Sequence, residues 1–288
     1  MTQVLHDERV GLGSVSPSGR GGPGWGRLVV ARSRDRSVVC RAFATSPLRL
    51  LTPTNHGHAA WIFTSSYGGG LVDGDAISMQ TTIGTGACAF VSTQASTKVY
   101  RSPHGTGVEM IGEVCDDGLL ILAPDPVVCF AESRYHQVQR FDLAVGAGLV
   151  LLDWVSSGRR ESGERWAFDE YVSRTTVRVG GRLLVHDALA LRSSDGDLAG
   201  RLGDYDVLAM ALVIGASLGP EAEHIVAKVE DQPVRQHSER LLAAAPLEGG
   251  GCVLRVVGRS VEDVSYALRG FLDFVPTLLG DSPWVRKW

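Results

Sequence analysis

The chain has 288 residues, 21% of them charged, and a formal net charge of -4. That balance leaves no basic surplus to neutralise phosphates, so nucleic acid is not an expected partner. No window reaches the roughly 20 apolar residues of a membrane helix, and residues 1–10 lack the apolar core of a signal peptide. A soluble cytoplasmic protein without membrane contact is expected.

Residues 11–26 hold seven glycines, three serines and two prolines, a composition with too little apolar surface to offset ordering entropy. Residues 1–24 are therefore expected to be a flexible Gly/Ser/Pro-rich tail, and residues 25–288 one domain. β-like runs at 27–31 and 37–43 surround the charged turn 32–36, and further strands are predicted at 46–50 and 59–64. Between the last two stand His56 and His58, two apart on an extended chain and so pointing the same way. They read either as solvent-exposed polar residues or as ligands for a divalent transition metal.

Gly68, Gly69 and Gly70 carry no Cβ and predict a turn or a tight chain crossing. Ile77, Met79, Thr81 and Ile83 then alternate with small or polar residues, the period of a strand with one buried face. Residues 87–92 are small, apolar and uncharged, which predicts a more deeply buried strand. Across Gly84-Thr85-Gly86 the two are expected to pair as a hairpin. Residues 93–102 form a polar strand end with two cations, one of them Lys98, from a total of three lysines in the chain.

Strands at 108–114 and 119–122 precede residues 123–130, where two prolines require an edge or a bend. Runs at 133–145 and 149–156 flank Gly146-Ala147-Gly148 as another expected hairpin. Residues 157–166 then place Arg159, Arg160 and Arg165 with Glu161 and Glu164 between glycines, flanked by Trp154 and Trp166. This patch reads as a solvated hairpin tip or as a docking surface, since arginine and tryptophan are enriched at interface hot spots.

Residues 167–179 and 182–191 make a strand-turn-strand unit about Gly180-Gly181. Asp187, inside an apolar run, is a satisfied internal carboxylate or an edge position. Residues 207–214 fit a buried strand or helix, 221–229 a helix and 251–257 a strand. Ser260, with Asp263 three residues on, caps the clearest helix, whose apolar face is Val261, Val264, Leu268, Phe271, Leu272 and Val275. The fold class is thus mainly β: a large single domain of antiparallel or mixed strands with about two α-helices, the last near the C-terminus.

The five cysteines are scattered, with no C-x-x-C pair, and are expected to be buried reduced thiols. No G-x-x-x-x-G-K-[ST] loop, G-x-S-x-G elbow or H-E-x-x-H helix occurs, so nucleotide hydrolysis is not expected and no enzyme is predicted.

Five blocks go further: GGGLVDGD at 68–75, STQASTKVYRS at 92–102, PDPVVCFAESRYHQ at 124–137, LLDWVSSGRRESGERWAF at 151–168 and YVSRTTVRVGGRLLVHDALAL at 171–191. Together and in this order they resemble the urease accessory protein UreD family, also called UreH, departing from its pattern at Asp73 and Cys129. The resemblance implies a non-catalytic β scaffold that binds the urease apoprotein and UreF, and through UreF the GTPase UreG. It implies GTP-dependent nickel insertion into the urease active site, with nickel carried by UreE and no tightly bound cofactor.

Within these blocks the motif or partner-binding candidates are Gly68, Gly69, Gly70, Asp75, Lys98, Tyr100, Arg101, Arg159, Arg160, Glu164 and Trp166. Asp75, Asp153 and Glu164 are candidates for a transient nickel path, because weak oxygen ligands release an ion that imidazole or thiolate clusters retain. Each instead caps a turn or pairs with Arg159, Arg160 or Arg165 in the alternative reading. A structural adaptor without nickel contact, and a hydrolytic enzyme on a β scaffold, are the other functions in view.

Overall fold

Strands that alternate in polarity and unbroken apolar strands are divided, with exceptions at the edge formed by Arg240–Pro246 and Gly251–Gly258, between two sheets. The computed structural model describes residues 23–233 and 238–287. In chain order the strands begin with β1 (Pro23–Ser33), β2 (Arg36–Ala44), β3 (Leu48–Leu51), β4 (Ala60–Ser66), β5 (Ala76–Ile83) and β6 (Cys88–Thr93). There follow β7 (Thr97–Val99), β8 (Thr106–Val114), β9 (Leu119–Leu122), β10 (Val127–Cys129), β11 (Arg134–Leu143) and β12 (Gly148–Ser156). The last strands are β13 (Glu170–Val179), β14 (Arg182–Arg192), β15 (Val207–Ile214), β16 (Arg240–Pro246) and β17 (Gly251–Gly258). Five helices accompany them: α1 (Leu198–Leu202), α2 (Gly219–Glu230), α3 (Val261–Phe271), α4 (Val275–Leu279) and α5 (Pro283–Lys287).

A seven-stranded sheet has the order β14-β13-β11-β8-β5-β1-β2, and a ten-stranded sheet has the order β16-β17-β15-β12-β9-β6-β4-β3, with β10 bridging β7 and β12. From β4 to β13 the chain passes back and forth between the sheets. Each return lays a strand parallel to the one before it, so β1, β5, β8, β11 and β13 run parallel in one sheet. β4, β6, β9 and β12 do the same in the other.

Two expected hairpins are thereby corrected. β5 and β6 do not pair, nor do β11 and β12; the turns at 84–86 and 146–148 are corners between sheets. A corner and a hairpin draw on the same turn residues, so the glycines did not discriminate. The pairs β1/β2 and β13/β14 are antiparallel hairpins as expected.

The helices α2 and α3 pack on the outer face of the larger sheet, through Ala222 and Ile225 on one and Val264, Leu268 and Phe271 on the other. That sheet is therefore buried on both faces, which explains the unbroken apolar runs of β6, β9 and β15. The smaller sheet turns one face to water and its strands alternate, as in β5. We call them the covered and the bare sheet. Ser260 Oγ accepts from the Asp263 amide at 3.1 Å and caps α3 as predicted.

Other expectations resolve in detail. Residues 207–214 are a strand, and Asp187 lies on the edge strand β14, paired with Arg255. The prolines before β10 mark a bend, since β10 is flanked by β7 and β12. Among the described residues there are five α-helices where about two were expected, three of them five residues long. Burial pushes the Cys88 and Cys129 thiols up to about 12 and that of Cys252 to about 11, whereas Cys115 is half-buried and Cys40 is exposed. Cys40 breaks the expectation because it sits on β2, the last strand of the bare sheet.

Pro23 and Gly24 open β1, and the remainder of the expected tail lies outside the described residues. No helix among the described residues is long and apolar enough to cross a membrane.

Candidate functional site

Parallel pairing in register places like residues beside like. Between β11 and β13, Tyr135 lies opposite Tyr171, Gln137 opposite Ser173 and Gln139 opposite Thr175. These positions alternate along each strand and face the covered sheet, so a polar stripe enters what is otherwise an apolar core. Opposite it, β12 presents Asp153 between Leu151 and Val155, both fully buried.

The side chains meet. Gln137 Nε2 donates to Asp153 Oδ1 at 2.9 Å, and Ser173 Oγ donates to Asp153 Oδ2 at 2.5 Å. Tyr171 donates its hydroxyl to Oδ1 at 3.4 Å, while the stacked Tyr135 ring, 5.9 Å from that of Tyr171, bonds Gln137 Oε1 at 3.1 Å. All of Asp153's partners are neutral. Burial pushes its carboxyl above the usual range, against the pull of the hydrogen bonds from Ser173 and Gln137.

What exposure Asp153 retains faces a cavity of about 290 Å³ between the sheets. The cavity is lined by Met79, Met110, Gln137, Gln139 and Asp153 and also by Thr64, Thr93, Thr97 and Asp125. Asp125 Oδ2 accepts from Thr93 Oγ1 at 3.2 Å. The mouth lies where exposed Gly69, Gln94 and Ala95 join the lining. Such a wall offers separate oxygen donors from carboxylates, amides and hydroxyls, a set that holds a hydrated divalent ion only weakly. Among the described residues no group of three or more His, Cys, Asp or Glu could hold a metal.

Gly69 of the glycine triplet lines one side of the mouth. Gly68 and Gly69 have φ of 81° and 74°, and a Cβ on Gly70 would stand 2.6 Å from Tyr100 Cε2 and 2.7 Å from the Lys98 carbonyl oxygen. The expected close crossing is therefore present. It is sealed by bonds from the Leu71 amide to Lys98 O at 2.8 Å and from the Tyr100 amide to Leu71 O at 2.9 Å. Lys98 itself is exposed.

Of the three acids proposed for a path, only Asp153 lines the cavity. Asp75 is buried and its Oδ2 accepts from the Val72 amide at 2.8 Å, closing a turn; burial pushes its carboxyl up. Glu164 pairs with Arg159 and accepts from the Ala131 amide at 3.2 Å, and the Arg159 hydrogen bond holds its carboxyl below the usual range. Arg159 also lies 4.3 Å over the Phe130 ring, which Tyr100 meets edge-on at 5.2 Å, and Arg101 pairs with Glu132 at 2.6 Å.

Residues 157–166 are a connection from the covered to the bare sheet and not a hairpin tip. Arg160 and Arg165 both bind Asp206, whose side chain is 6% exposed. Trp166 is 3% exposed and donates Nε1 to Tyr205 O at 3.0 Å, so it packs inside instead of offering a contact surface. His56 and His58 donate their amides to Asp281 Oδ2 and Leu279 O, tying their loop to the C-terminal helices.

Gln137, Ser173 and the turn at 94–96 were not singled out from the sequence. The available signal was polarity at positions 137 and 139, on the same strand face as the buried Tyr135 and Phe141.

A family model described as UreD urease accessory protein matches residues 23–288. The chain is 49% identical over 268 residues to "Urease accessory protein UreD" of Sorangium cellulosum, covering 93% of this chain and 85% of that protein. It is 36% identical to "Urease accessory protein D" of Oryza sativa subsp. indica, covering 90% and 94% of the two chains. Identity to "Urease accessory protein UreD" of Haloarcula marismortui is 31%, with 89% and 87% covered.

Proposed function

The chain belongs to the UreD urease accessory protein family, and from that premise we propose that it serves urease maturation as a non-catalytic cytoplasmic scaffold. It binds the urease apoprotein and UreF, and through UreF the GTPase UreG. Nickel delivered by UreE passes to the urease active site in a step that consumes GTP on UreG, consistent with a chain that carries no phosphate-binding loop.

The observation that carries the nickel reading is Asp153, a carboxylate on a cavity wall with only neutral partners. Burying an unpaired acid costs stability, so its place on this wall is better explained by a cation that visits than by the fold. One carboxylate with amide and hydroxyl neighbours binds a hydrated ion weakly and releases it, as a conduit requires. The mouth, lined by Gly69 and residues 94–96, gives that ion access.

Co-expression of urease and its other accessory proteins with and without this chain tests the reading. Urease should be metallated only when the chain is present; full metallation in its absence at ordinary nickel supply overturns the proposal. Equilibrium dialysis of the isolated protein with nickel separates a conduit, which takes up the ion weakly, from an adaptor, which takes up none.

A further inference from the structure

Arginine is used differently in two parts of the molecule. Beyond residue 51, eleven arginines form ion pairs with carboxylates. Residues 23–51 contain six arginines, at 27, 32, 34, 36, 41 and 49, against a single acid, Asp35. All six are exposed, and none is ion-paired among the described residues. Arg32 donates to Arg34 O at 2.9 Å, Arg36 to Gly57 O at 2.9 Å, and Arg49 lies 5.0 Å over the Tyr67 ring.

The same hairpin exposes large apolar groups. Trp25 is 38% and Phe43 49% exposed, with ring centroids 5.5 Å apart, and together with Arg27 and Arg41 they line one shallow depression. β2 is also the terminal strand of the bare sheet. Ser37 gives its amide to His58 O at 2.7 Å, but from Val38 onward the strand ends the sheet. Guanidinium groups without carboxylates, an aromatic pair and an unextended sheet edge coincide within one element. Each is a feature by which proteins take up an extended segment of another chain.

We propose that the outer face and open edge of the β1–β2 hairpin bind an acidic, extended segment of a partner protein, its carboxylates on Arg27 and Arg41 and an apolar side chain on Trp25 and Phe43. This adds a docking place to the scaffold reading, which assigns none. A protein segment fits better than nucleic acid because the net charge of the chain is -4 and the carboxylate-free arginines beside Trp25 and Phe43 make a small patch rather than an extended basic track. A strand edge moreover offers backbone pairing that a nucleic acid cannot use.

The test is fluorescence anisotropy of the full chain with the labelled peptide Glu-Val-Glu-Phe-Glu-Val-Glu. Wild type should bind it, more weakly as salt is raised, and Arg27→Glu with Arg41→Glu should weaken binding at least about tenfold. Arg174→Glu with Arg178→Glu, exposed positions on β13 of the same sheet, should change it less than about twofold. Phe43→Ser, which keeps every charge, should weaken binding several-fold and serves as the deciding variant if the double reversal fails to fold. Equal losses from both arginine pairs would overturn the proposal. So would tighter binding of single-stranded DNA at the hairpin, or self-association of the chain abolished by the Arg27/Arg41 reversal.

Discussion

Asp153 and the β1–β2 hairpin are opposites: inside, an acid has only neutral partners, and outside, five arginines pair with no acid among the described residues. Between these extremes the connection at 157–166 is balanced, with Arg159 on Glu164 and both Arg160 and Arg165 on Asp206. The difference lies in what an unmatched charge costs. Water solvates an exposed guanidinium almost fully, so the hairpin loses little by leaving its arginines free. A carboxyl enclosed by protein has no such recourse and shifts toward its neutral form. An unmatched exposed charge is thus a cheap way to attract a partner, whereas an unmatched buried one calls for a functional account.

The comparison breaks if the balanced connection proves dispensable. Arg160→Ala with Arg165→Ala leaves Asp206 buried without a cation and should lower unfolding free energy by about 3 kcal/mol, read by urea denaturation. The corresponding Arg27→Ala with Arg41→Ala should leave the denaturation midpoint where it is. Comparable destabilisation by both pairs would remove the distinction.

Gly70→Val sharpens the account of the mouth. A Cβ there meets the Lys98 carbonyl, which is backbone and cannot swing aside, so a loss of about 1–3 kcal/mol is expected. Gly68→Asn and Gly69→Asn, at positive φ with open space around them, should cost less, since asparagine tolerates that conformation better than most residues.

A smaller effect concerns pH. Asp153 holds its proton in the folded state to higher pH than in the unfolded chain, where the value is 3.8. Its contribution to stability is therefore full below 3.8 and lost as pH rises through the folded value. Asp153→Asn removes that loss, so the stability difference should move in the variant's favour as pH climbs above 3.8 in urea titrations. A pH-independent difference would show that the carboxyl is not shifted.

Strand positions were legible because burial leaves a period, and for the central strands the pattern also separates the two sheets. β5 alternates and belongs to the bare sheet; β6 and β15 do not alternate and lie under helices. What was not legible was connectivity, since the glycines at 84–86 and 146–148 serve a corner as readily as a hairpin. Charge pairing was hidden for a related reason. Arg160 finds Asp206 46 residues along the chain, so a patch that looks unsatisfied in sequence is satisfied in space. Asp153 was found through a family block, but its neighbours Gln137 and Ser173 come from two other strands and meet it only across the two sheets.

The most direct measurement is the nickel content of urease matured in cells where this chain carries Asp153→Asn. The account predicts urease with no more than about a tenth of its normal nickel, while the variant still co-purifies with urease and UreF. Urease with its full complement of nickel would contradict it.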